Sequence, residues 1–451
     1  MRKIIQYMMM ALIAVVLASC ANDISEESTP TVKSNIRFVV DDFPMFEKPS
    51  TRTIGEEDKG KTAWAVGDEI CVKLESKELG TQTATLKYNG VKFEIQDGNS
   101  LCYLDGEPVT AYAYYAPNRR WRNDGNLGYK DGEHDGTAEF LEATCTVHYG
   151  DDNYIDISFA NVTRNYSRLR IATLPNEQIT VDTEYFTPAG SSDMEQNGNY
   201  TLTSDEKGNA YLYGTFENNS EVTVKYREAT LATHTFLQKT ENAMSYALDA
   251  TVISANSAEE IKSAIEQKVA DGKTTIRLNL APNAGTDEFM AIREAIKGAA
   301  PNDEGTIELT IIGVETIPEE AFKRMSQLKS VKMPDVKEIK KYAFSECTYL
   351  TVVEAPSLNK LNSGAFNKCN LLSKLTFGPI NYADARYWPI FEDITPNIDL
   401  ILSDYQKEMI KTDDDLYTAN NDIDYALSNK HLNKNFLGHE FKSITCRMKV
   451  E

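Results

Sequence analysis

Residues 339–356, IKKYAFSECTYLTVVEAP, form the middle copy of a repeated segment. The pair Ala-Phe occurs at 321/322, 343/344 and 365/366, so each pair follows the one before by 22 positions. The same spacing relates four further apolar columns: Ile317, Ile339 and Leu361; Leu328, Leu350 and Leu372; Val331, Val353 and Leu375; Met333, Ala355 and Phe377. A fixed period of this length indicates supersecondary repeats that bury their apolar sides only by stacking. The segment therefore predicts a solenoid.

Short strands and flanking helices extend this prediction in both directions. The stretches LKSVKMP, LTVVEAP and LSKLTFGP alternate apolar and polar residues, and each ends at a Pro, which withholds a backbone donor. Upstream, residues 257–280 and 287–311 each predict an amphipathic helix followed by a strand. Downstream, NIDLILS and FKSITCRM predict final strands, with a helical cap over residues 405–433 between them.

The repeat closely resembles the BspA-type leucine-rich repeat, whose usual form runs Ile-x-x-x-Ala-Phe-x-x-Cys-x-x-Leu-x-x-Val-x-Ile-Pro. Cys347 and Cys369 stand at the Cys position of that pattern, and Met325 replaces the Cys in the first repeat. The resemblance implies that both thiols are buried wall residues, since a free Cys packs as a small hydrophobe.

Side chains between the buried columns define a candidate binding face. If the strands align, these side chains point outward along one concave sheet and are mixed polar groups of both signs. Such a surface suits contact with a protein or glycan on a host or bacterial surface, although a merely solvated sheet face fits the pattern equally well. The candidate residues are Arg277, Asn279, Glu308, Thr310, Ser330, Lys332, Val352, Glu354, Lys374 and Thr376.

The first half of the chain consists of short alternating segments from residue 34 to about 250. Turn signals such as Asn89-Gly90 and Asn197-Gly198 separate many of them. Many short strands joined by turns predict β-sandwiches. The predicted domains are sandwiches at 34–149 and 150–253 and a repeat domain at 254–451. The fold class expected is multidomain: an all-β tandem β-sandwich followed by a short α/β leucine-rich-repeat solenoid.

A second resemblance comes from short motifs in this half. TRT at 51–53, then Trp64, Gly67, Asp68 and Ile70, then AYAYYAP and IDISFANVTRNYSRLRI, look like the fimbrillin-type lipoproteins of Gram-negative anaerobes. The resemblance implies two successive β-sandwiches. In assembling members, removal of an N-terminal strand after an Arg opens a groove for a partner's strand.

Arg52 is by position the candidate processing site, and fimbrial subunits are then candidate partners. The alternative is that Arg52 is an exposed loop residue. The chain shows no comparable pilin tail, because a repeat cap is predicted at its C-terminus.

The first twenty residues predict a lipoprotein signal segment. Arg2 and Lys3 give a basic start, an apolar stretch follows, and Leu17-Ala18-Ser19-Cys20 resembles a lipobox. Cys20 would then carry the lipid anchor, the chain's contact with the membrane. Residues 21–33 are polar and acidic, which suits a flexible tether. The expected location is the outer membrane, at the cell surface.

Charge and cysteine spacing limit the partners. A formal net charge of −21 repels phosphate backbones, so we expect no nucleic-acid partner. The six cysteines after Cys20 lack the spacing of a zinc site. Export permits disulfides among Cys71, Cys102 and Cys145, but the sequence leaves their pairing open.

The acidic stretch 131–142 nearly fits a calcium-binding loop, with candidate ligands Asp131, Glu133, Asp135, Glu139 and Glu142. The preceding residues cannot form the entering helix, so a solvated acidic loop is favoured over a metal site. The five His residues are scattered, and no nucleophile or phosphate-loop motif occurs. We therefore predict neither an enzyme nor a cofactor.

Together these features predict a lipid-anchored surface protein for adhesion or ligand binding through the concave face. One alternative is a fimbrial tip subunit that accepts a donor strand. Another is a carbohydrate-capturing or carbohydrate-active surface lipoprotein.

Overall fold

The computed structural model describes most of the chain between residues 32 and 447. The described residues are 32–33, 36–48, 54–55, 58–96, 100–104, 106–150, 153–159, 164–227, 229–255, 257–300, 302–383, 389–403, 435–437 and 439–447. The predicted signal segment with Cys20, all but the last two residues of the tether, Arg52 and the predicted cap at 405–433 lie outside them. The described part is mostly β, with several sheets, as predicted.

The chain forms two compact units. Unit 1 comprises Met1–Pro44, Ala63–Lys130 and Leu141–Val162, and unit 2 comprises Met45–Thr62, Asp131–Phe140 and Thr163–Glu451. The boundaries of the three predicted domains and the sandwich architecture of the first half stay predictions.

Unit 1 is built around one seven-stranded sheet, ordered β2-β11-β10-β7-β3-β4-β5. All its neighbours are antiparallel except β2 and β11, which are parallel. Two small pairs, β1 with β6 and β8 with β9, accompany it. The strands are β1 Val32–Lys33, β2 Arg37–Val40, β3 Glu69–Ser76, β4 Gly80–Tyr88, β5 Phe93–Ile95, β6 Tyr103–Leu104, β7 Val109–Tyr115, β8 Arg119–Trp121, β9 Leu127–Tyr129, β10 Leu141–His148 and β11 Tyr154–Ser158.

The motif around Trp64 forms the turn into β3. The Trp64 ring meets the edges of four aromatic rings, and its indole N–H donates to the Asp41 carbonyl at 2.8 Å. Gly67 takes a φ of +97°, and the Asp68 carboxylate accepts from the Ala65 N–H at 2.6 Å. The turn thus starts the strand in the register that buries its alternate side chains.

Unit 2 begins with a second seven-stranded sheet, ordered β17-β16-β13-β15-β12-β18, with β14 also paired to β13. Glu47 and Ile54 of the same unit lie beside β18, where their carbonyls accept from the Ser245 N–H at 2.9 Å and the Ala247 N–H at 2.7 Å. A β-bulge interrupts the pairing of β16 with β17 and leaves Leu231 without an opposite residue. The strands are β12 Ser167–Ala172, β13 Gln178–Pro188, β14 Glu195–Thr203, β15 Asn209–Phe216, β16 Ser220–Tyr226, β17 Ala229–Phe236 and β18 Ser245–Asp249.

Two helix–strand pairs follow, as the sequence predicted. Helix α1 spans Ala258–Ala270 and precedes strand β20, Thr275–Asn279. Helix α2 spans Thr286–Ala299 and precedes strand β21, Ile307–Ile312. The Ser257 hydroxyl caps α1 by accepting from the Glu260 N–H at 3.2 Å. The helices have 13 and 14 residues. Neither of them, nor any other helix in the described part of the chain, is long and apolar enough to span a membrane.

The C-terminal part of unit 2 contains two parallel sheets. The larger, here called the long sheet, has the order β19-β20-β21-β23-β25-β27-β29-β32, and the small sheet has the order β22-β24-β26-β28. Strands β29 and β32 confirm the predicted final strands. The strands are β19 Ile253–Ser254, β20 Thr275–Asn279, β21 Ile307–Ile312, β22 Thr316–Ile317, β23 Leu328–Lys332, β24 Glu338–Ile339, β25 Val352–Ala355, β26 Lys360–Leu361, β27 Lys374–Phe377, β28 Tyr382–Ala383, β29 Asp399–Ser403, β30 Asn435–Phe436, β31 His439–Glu440 and β32 Ser443–Arg447, with β30 and β31 forming a separate pair.

The predicted apolar columns stack in register between these sheets. The Phe322 and Phe344 ring centroids are 5.2 Å apart, and those of Phe344 and Phe366 are 5.5 Å apart. All three rings have no solvent exposure. Residues 22 positions apart therefore occupy equivalent places, as the period required.

The turns of the repeats share an unusual backbone feature. Two positions in each turn have a positive φ, and five of the six are not glycine: Glu320, Tyr342 and Gly364 at one position, and Arg324, Glu346 and Lys368 at the other. This conformation costs a non-glycine residue roughly 1–2 kcal/mol. Each of these turns also donates backbone N–H groups to the next segment, for example from Glu320 to Lys341 at 3.0 Å and from Arg324 to Ser345 at 2.9 Å. The cost within one repeat is thus offset by contacts with its neighbour.

Candidate binding face

Two rows of side chains cross four neighbouring strands of the long sheet, β21, β23, β25 and β27. Successive members of each row are direct partners in the parallel register. Row one is Glu308, Ser330, Val352 and Lys374, and row two is Thr310, Lys332, Glu354 and Thr376. Eight of the ten predicted face residues therefore lie together on one face.

The charges on the face alternate in sign. The Lys332 ammonium lies 3.6 Å from the Glu354 carboxylate within row two. Glu308 of row one accepts from Lys329 at 2.8 Å, which raises the pKa of that lysine. Lys374 is exposed, and among the described residues its ammonium has no ion-pair partner. Neither row contains an aromatic side chain.

A cleft of about 180 Å³ lies over row two. Its lining joins the polar row to two residues of β17 in the second sheet: Thr310, Lys332, Met333, Pro334, Glu354, Pro356 and Thr376, with Ala229 and Thr230. Typical small-molecule pockets measure about 300–1,000 Å³. The cleft is therefore the size for a single side chain or short loop of a partner rather than for a whole cofactor.

Arg277 closes one end of the face. It is only 8% exposed, and its Nε donates to the carbonyl of Leu231, the bulge residue of β17. Burial lowers the pKa of this guanidinium, while Asp249 and Glu308 oppose the shift. A bulge re-aims one backbone group out of the ladder, and here that group receives the arginine. Arg277 thus ties β17 to the long sheet and does not belong to an exposed binding surface.

Asp249 and Lys268 reinforce the same junction. The Lys268 ammonium donates to the Thr251 hydroxyl at 3.0 Å, and that hydroxyl donates to Asp249. Burial acts to raise the pKa of Asp249, but hydrogen bonds from Thr251 and the charges of Lys268 and Arg277 outweigh it and hold the pKa below its ordinary value. The second sheet and the long sheet are therefore joined by polar contacts as well as by packing.

Two further predicted face residues, Thr310 and Asn279, are not part of the accessible face, each for a different reason. Thr310 is in row two but only 6% exposed. Asn279 pairs with Ile312 in the register, beyond the end of both rows, because β20 is offset so that Thr275 lies opposite Glu308. The accessible part of the face is therefore centred on β23, β25 and β27.

The two repeat thiols are wall residues, as the sequence predicted. Cys347 and Cys369 are fully buried and donate to the carbonyls of Phe322 and Phe344 at 2.9 and 3.0 Å. Burial raises the pKa of Cys347 to about 12. Neither thiol has the exposure or the lowered pKa of a nucleophile. Cys71, Cys102 and Cys145 are free, so no disulfide joins them in this structure.

The five acidic side chains of the stretch 131–142 do not converge on one point in the structure. Glu139 is buried and bonded to Arg164 at 2.5 Å, while Asp131 and Glu133 are exposed and Asp135 is half-buried. Glu142 is an exposed residue of β10. Within the described ranges, no three His, Cys, Asp or Glu side chains are grouped to hold a metal ion.

Sequence reasoning missed the contribution of β17. The signal was a break in the alternation of its apolar residues. Ala229 and Leu231 are buried two positions apart, but the next buried residue, Phe236, comes five positions later and therefore breaks the two-residue period. A shift of this kind marks an inserted residue in a strand. The partner of the bulge, Arg277, is 46 positions away and could not be read from the pattern.

Comparison with known proteins supports the repeat assignment. Residues 306–387 match the family described as BspA type Leucine rich repeat region, in six copies. No curated protein matches the chain. A crystal structure of a Bacteroides fragilis protein named as a candidate cell adhesion protein aligns with 10% identity over 49% of this chain and 94% of that one, at a TM-score of 0.28. So low a score carries no argument, and the fimbrillin resemblance gains no support from it. The C-terminal part of this chain contains a BspA-type leucine-rich repeat region.

Proposed function

We propose that this chain is a lipid-anchored cell-surface protein that binds a protein partner through rows one and two. In this proposal, tandem sandwiches present a leucine-rich solenoid at the outer membrane, and the chain acts by binding rather than by catalysis. The observation that carries it is the in-register array of polar side chains on β21 to β27, with a side-chain-sized cleft beside it.

The chemistry of the face favours a protein over a glycan. Saccharides pack against exposed aromatic rings, and neither row offers one. Alternating charges and hydroxyls instead suit the polar rim of a protein interface, where they set orientation and partner choice. Lys374 and Val352 give the accessible end of row one a cation next to an apolar contact.

A charge reversal with a matched control tests the proposal. The full chain and two variants are displayed on cells or immobilised, and binding to candidate host and bacterial surface proteins is measured. We expect Lys374→Glu to reduce binding strongly. Lys360→Glu, at an exposed lysine on β26 of the small sheet, should leave binding unchanged.

Equal loss in both variants would indicate a nonspecific charge effect, and equal retention would exclude row one as the contact surface. Because both substitutions fall on exposed lysines, each variant is expected to fold, and its unfolding midpoint checks this.

A second candidate function is that of a fimbrial tip subunit. The specific observation is that β2, which precedes Arg52 in the chain, is an edge strand of the unit 1 sheet and, among the described strands, pairs with β11 alone. Loss of β2 would expose the β11 edge for a donor strand. Incorporation into a polymer that depends on protease and is abolished by Arg52→Ala supports this function, whereas a persistent monomer after cleavage contradicts it.

A further inference from the structure

Unit 1 contains a polar cleft of about 530 Å³ that the proposed function does not use. Its floor is the outer face of β3 and β4, where Lys73 lies opposite Thr83 and Glu75 lies opposite Thr81. Its rim is the loop 122–126 at the tip of the β8–β9 hairpin, with Trp121 at the base of the rim. The cleft is within the usual size range of ligand pockets.

The rim is held in place before any ligand arrives. The Trp121 indole N–H donates to the Ala84 carbonyl of β4 at 3.0 Å, which fastens the hairpin over the sheet. Within the loop, the Arg122 N–H donates to the Asn126 carbonyl at 2.9 Å, and the Gly125 N–H donates to the Arg122 carbonyl at 3.0 Å. Gly125 has a φ of +78°, which closes the turn. A preformed rim lowers the ordering cost of binding.

The formal charges of the cleft cancel. The Lys73 ammonium lies 2.6 Å from the Glu75 carboxylate and 4.6 Å from the centre of the Tyr112 ring. The Asp124 carboxylate accepts the Asn126 N–H at 3.0 Å, and this bond, with the Arg122 charge nearby, lowers its pKa. Two cations balanced by two carboxylates do not select a strongly charged ligand.

Hydrogen-bonding capacity remains after these pairs are formed. The Thr81 and Thr83 hydroxyls and the Asn123 amide have no hydrogen-bond partner among the described residues, and all three line the cleft. Hydroxyls and an amide supply both donors and acceptors. The half-buried Trp121 side chain borders the cleft, whose surface is mostly polar. A neutral ligand dense in hydroxyl groups matches this combination.

We propose that this cleft binds a neutral saccharide beside Trp121, hydrogen-bonded to Thr81, Thr83 and Asn123. The cleft is in unit 1 and the proposed protein-binding face is in unit 2, so the two proposals can be tested separately. Carboxylates such as Asp124 and Glu75 can accept from further sugar hydroxyls without any change of charge.

The test begins with the full chain on an array of neutral hexose and N-acetylhexosamine oligosaccharides alongside sialylated and uronate-bearing ones. Each positive glycan is then titrated as the free oligosaccharide, with binding heat and tryptophan fluorescence as readouts. We expect neutral glycans to bind and to change the fluorescence. Since one lost hydrogen bond contributes on the order of tenfold in affinity, Thr83→Val and Asn123→Ala should each weaken binding about tenfold.

Matched controls separate a local effect from a folding defect. Thr235→Val, at an exposed position of β17, and Asn283→Ala, in an exposed turn, make the same chemical changes elsewhere and should bind as the unmodified chain does. Trp121→Phe should abolish the fluorescence response to the glycan. Absence of binding to every neutral glycan, binding confined to acidic glycans, or equal affinity in the cleft and control variants would overturn the proposal. Lys374→Glu, on the protein-binding face, should leave glycan binding unchanged.

Discussion

The Phe344 ring lies parallel to the Phe366 ring, with 7° between their planes and 5.5 Å between their centroids. Phe322 stacks on the other side of Phe344, so the middle ring contacts an equivalent ring from each neighbouring repeat. An aromatic side chain buries about 150–250 Å², and paired rings add about 0.5–1.5 kcal/mol beyond burial. The column continues beyond these three rings, because Phe391 stacks on Phe366 at 5.6 Å and Phe289 meets the Phe322 ring at 5.6 Å.

Truncation of that ring is the first prediction. Phe344→Ala should destabilise unit 2 by about 3–5 kcal/mol, because it leaves a cavity with no solvent access. Chemical unfolding would measure the loss of stability, and hydrogen exchange would show which part of the chain loses protection. Leu371→Ala, at a side chain that is 53% exposed, should change stability by less than about 0.5 kcal/mol. Similar effects from both variants would contradict the buried column.

Cysteine reactivity gives a second prediction. Burial raises the pKa of Cys347 to about 12 and that of Cys71 to about 11, so at pH 8 almost no thiolate is present at either. Cys102 is only partly buried. Iodoacetamide should therefore label Cys102 in the folded protein well before Cys347, as mass spectrometry of peptides would show. Rapid labelling of Cys347 without denaturant would show that the repeat wall is open.

Replacement of Arg277 tests the junction between the second sheet and the long sheet. Arg277→Met keeps much of the buried volume but leaves the Leu231 carbonyl without its donor, which should cost about 1–3 kcal/mol. Asn279→Ala, two residues along the same strand, is the control and should cost less. Limited proteolysis should show faster cleavage of the Arg277→Met variant between the two sheets. An unchanged cleavage rate would show that packing alone holds the junction.

Acid should weaken the same junction. The pKa of Asp249 is lowered in the folded state, so its contribution to stability is complete above the unfolded value of about 4 and disappears as the pH falls through the folded value. Asp249→Asn should therefore destabilise the protein near neutral pH. The difference from the unmodified chain should shrink below about pH 4. A difference that is constant with pH, measured by urea unfolding, would contradict a charged role for Asp249.

A buried ion pair provides the fifth prediction. The side chains of Arg164 and Glu139 are 1% and 7% exposed, and the guanidinium also lies 3.9 Å from the centre of the Phe46 ring. Glu139→Gln leaves a buried cation without its counterion and should destabilise unit 2 by about 3–5 kcal/mol. Glu133→Gln, in the same acidic stretch but exposed, should have little effect. Equal unfolding midpoints for the two variants would contradict the buried pair.

Local patterns predicted much of the C-terminal fold. The 22-residue period located the Phe column and the wall thiols, and the strand patterns of NIDLILS and FKSITCRM located the final strands. Each of these depends only on which positions face inward. The same reasoning placed eight of the ten face residues in two rows. Periodicity specifies the direction of a side chain, and that is sufficient for a stacked sheet.

Contacts between distant segments were not predictable in the same way. Arg277 stands at a position where strand alternation predicts a face residue. Its side chain is instead buried because it donates to the carbonyl of Leu231, 46 positions away. Glu139 fits a ligand position in a calcium loop, but its partner is Arg164. The saccharide cleft depends on a hairpin folding over β3 and β4, which no local pattern encodes. The tertiary fold determines which groups a charged side chain contacts, so the local sequence alone predicted the wrong role for Arg277 and Glu139.

The positive-φ turns bear on how such a protein can vary in size. Each repeat satisfies its turn through the repeat that follows, so insertion or deletion of one whole 22-residue segment would create no new kind of junction. Every added segment would lengthen the sheet by one strand spacing, about 4.8 Å, and would supply one more pair of surface positions. The reach of the face is thus adjustable in steps of one whole segment.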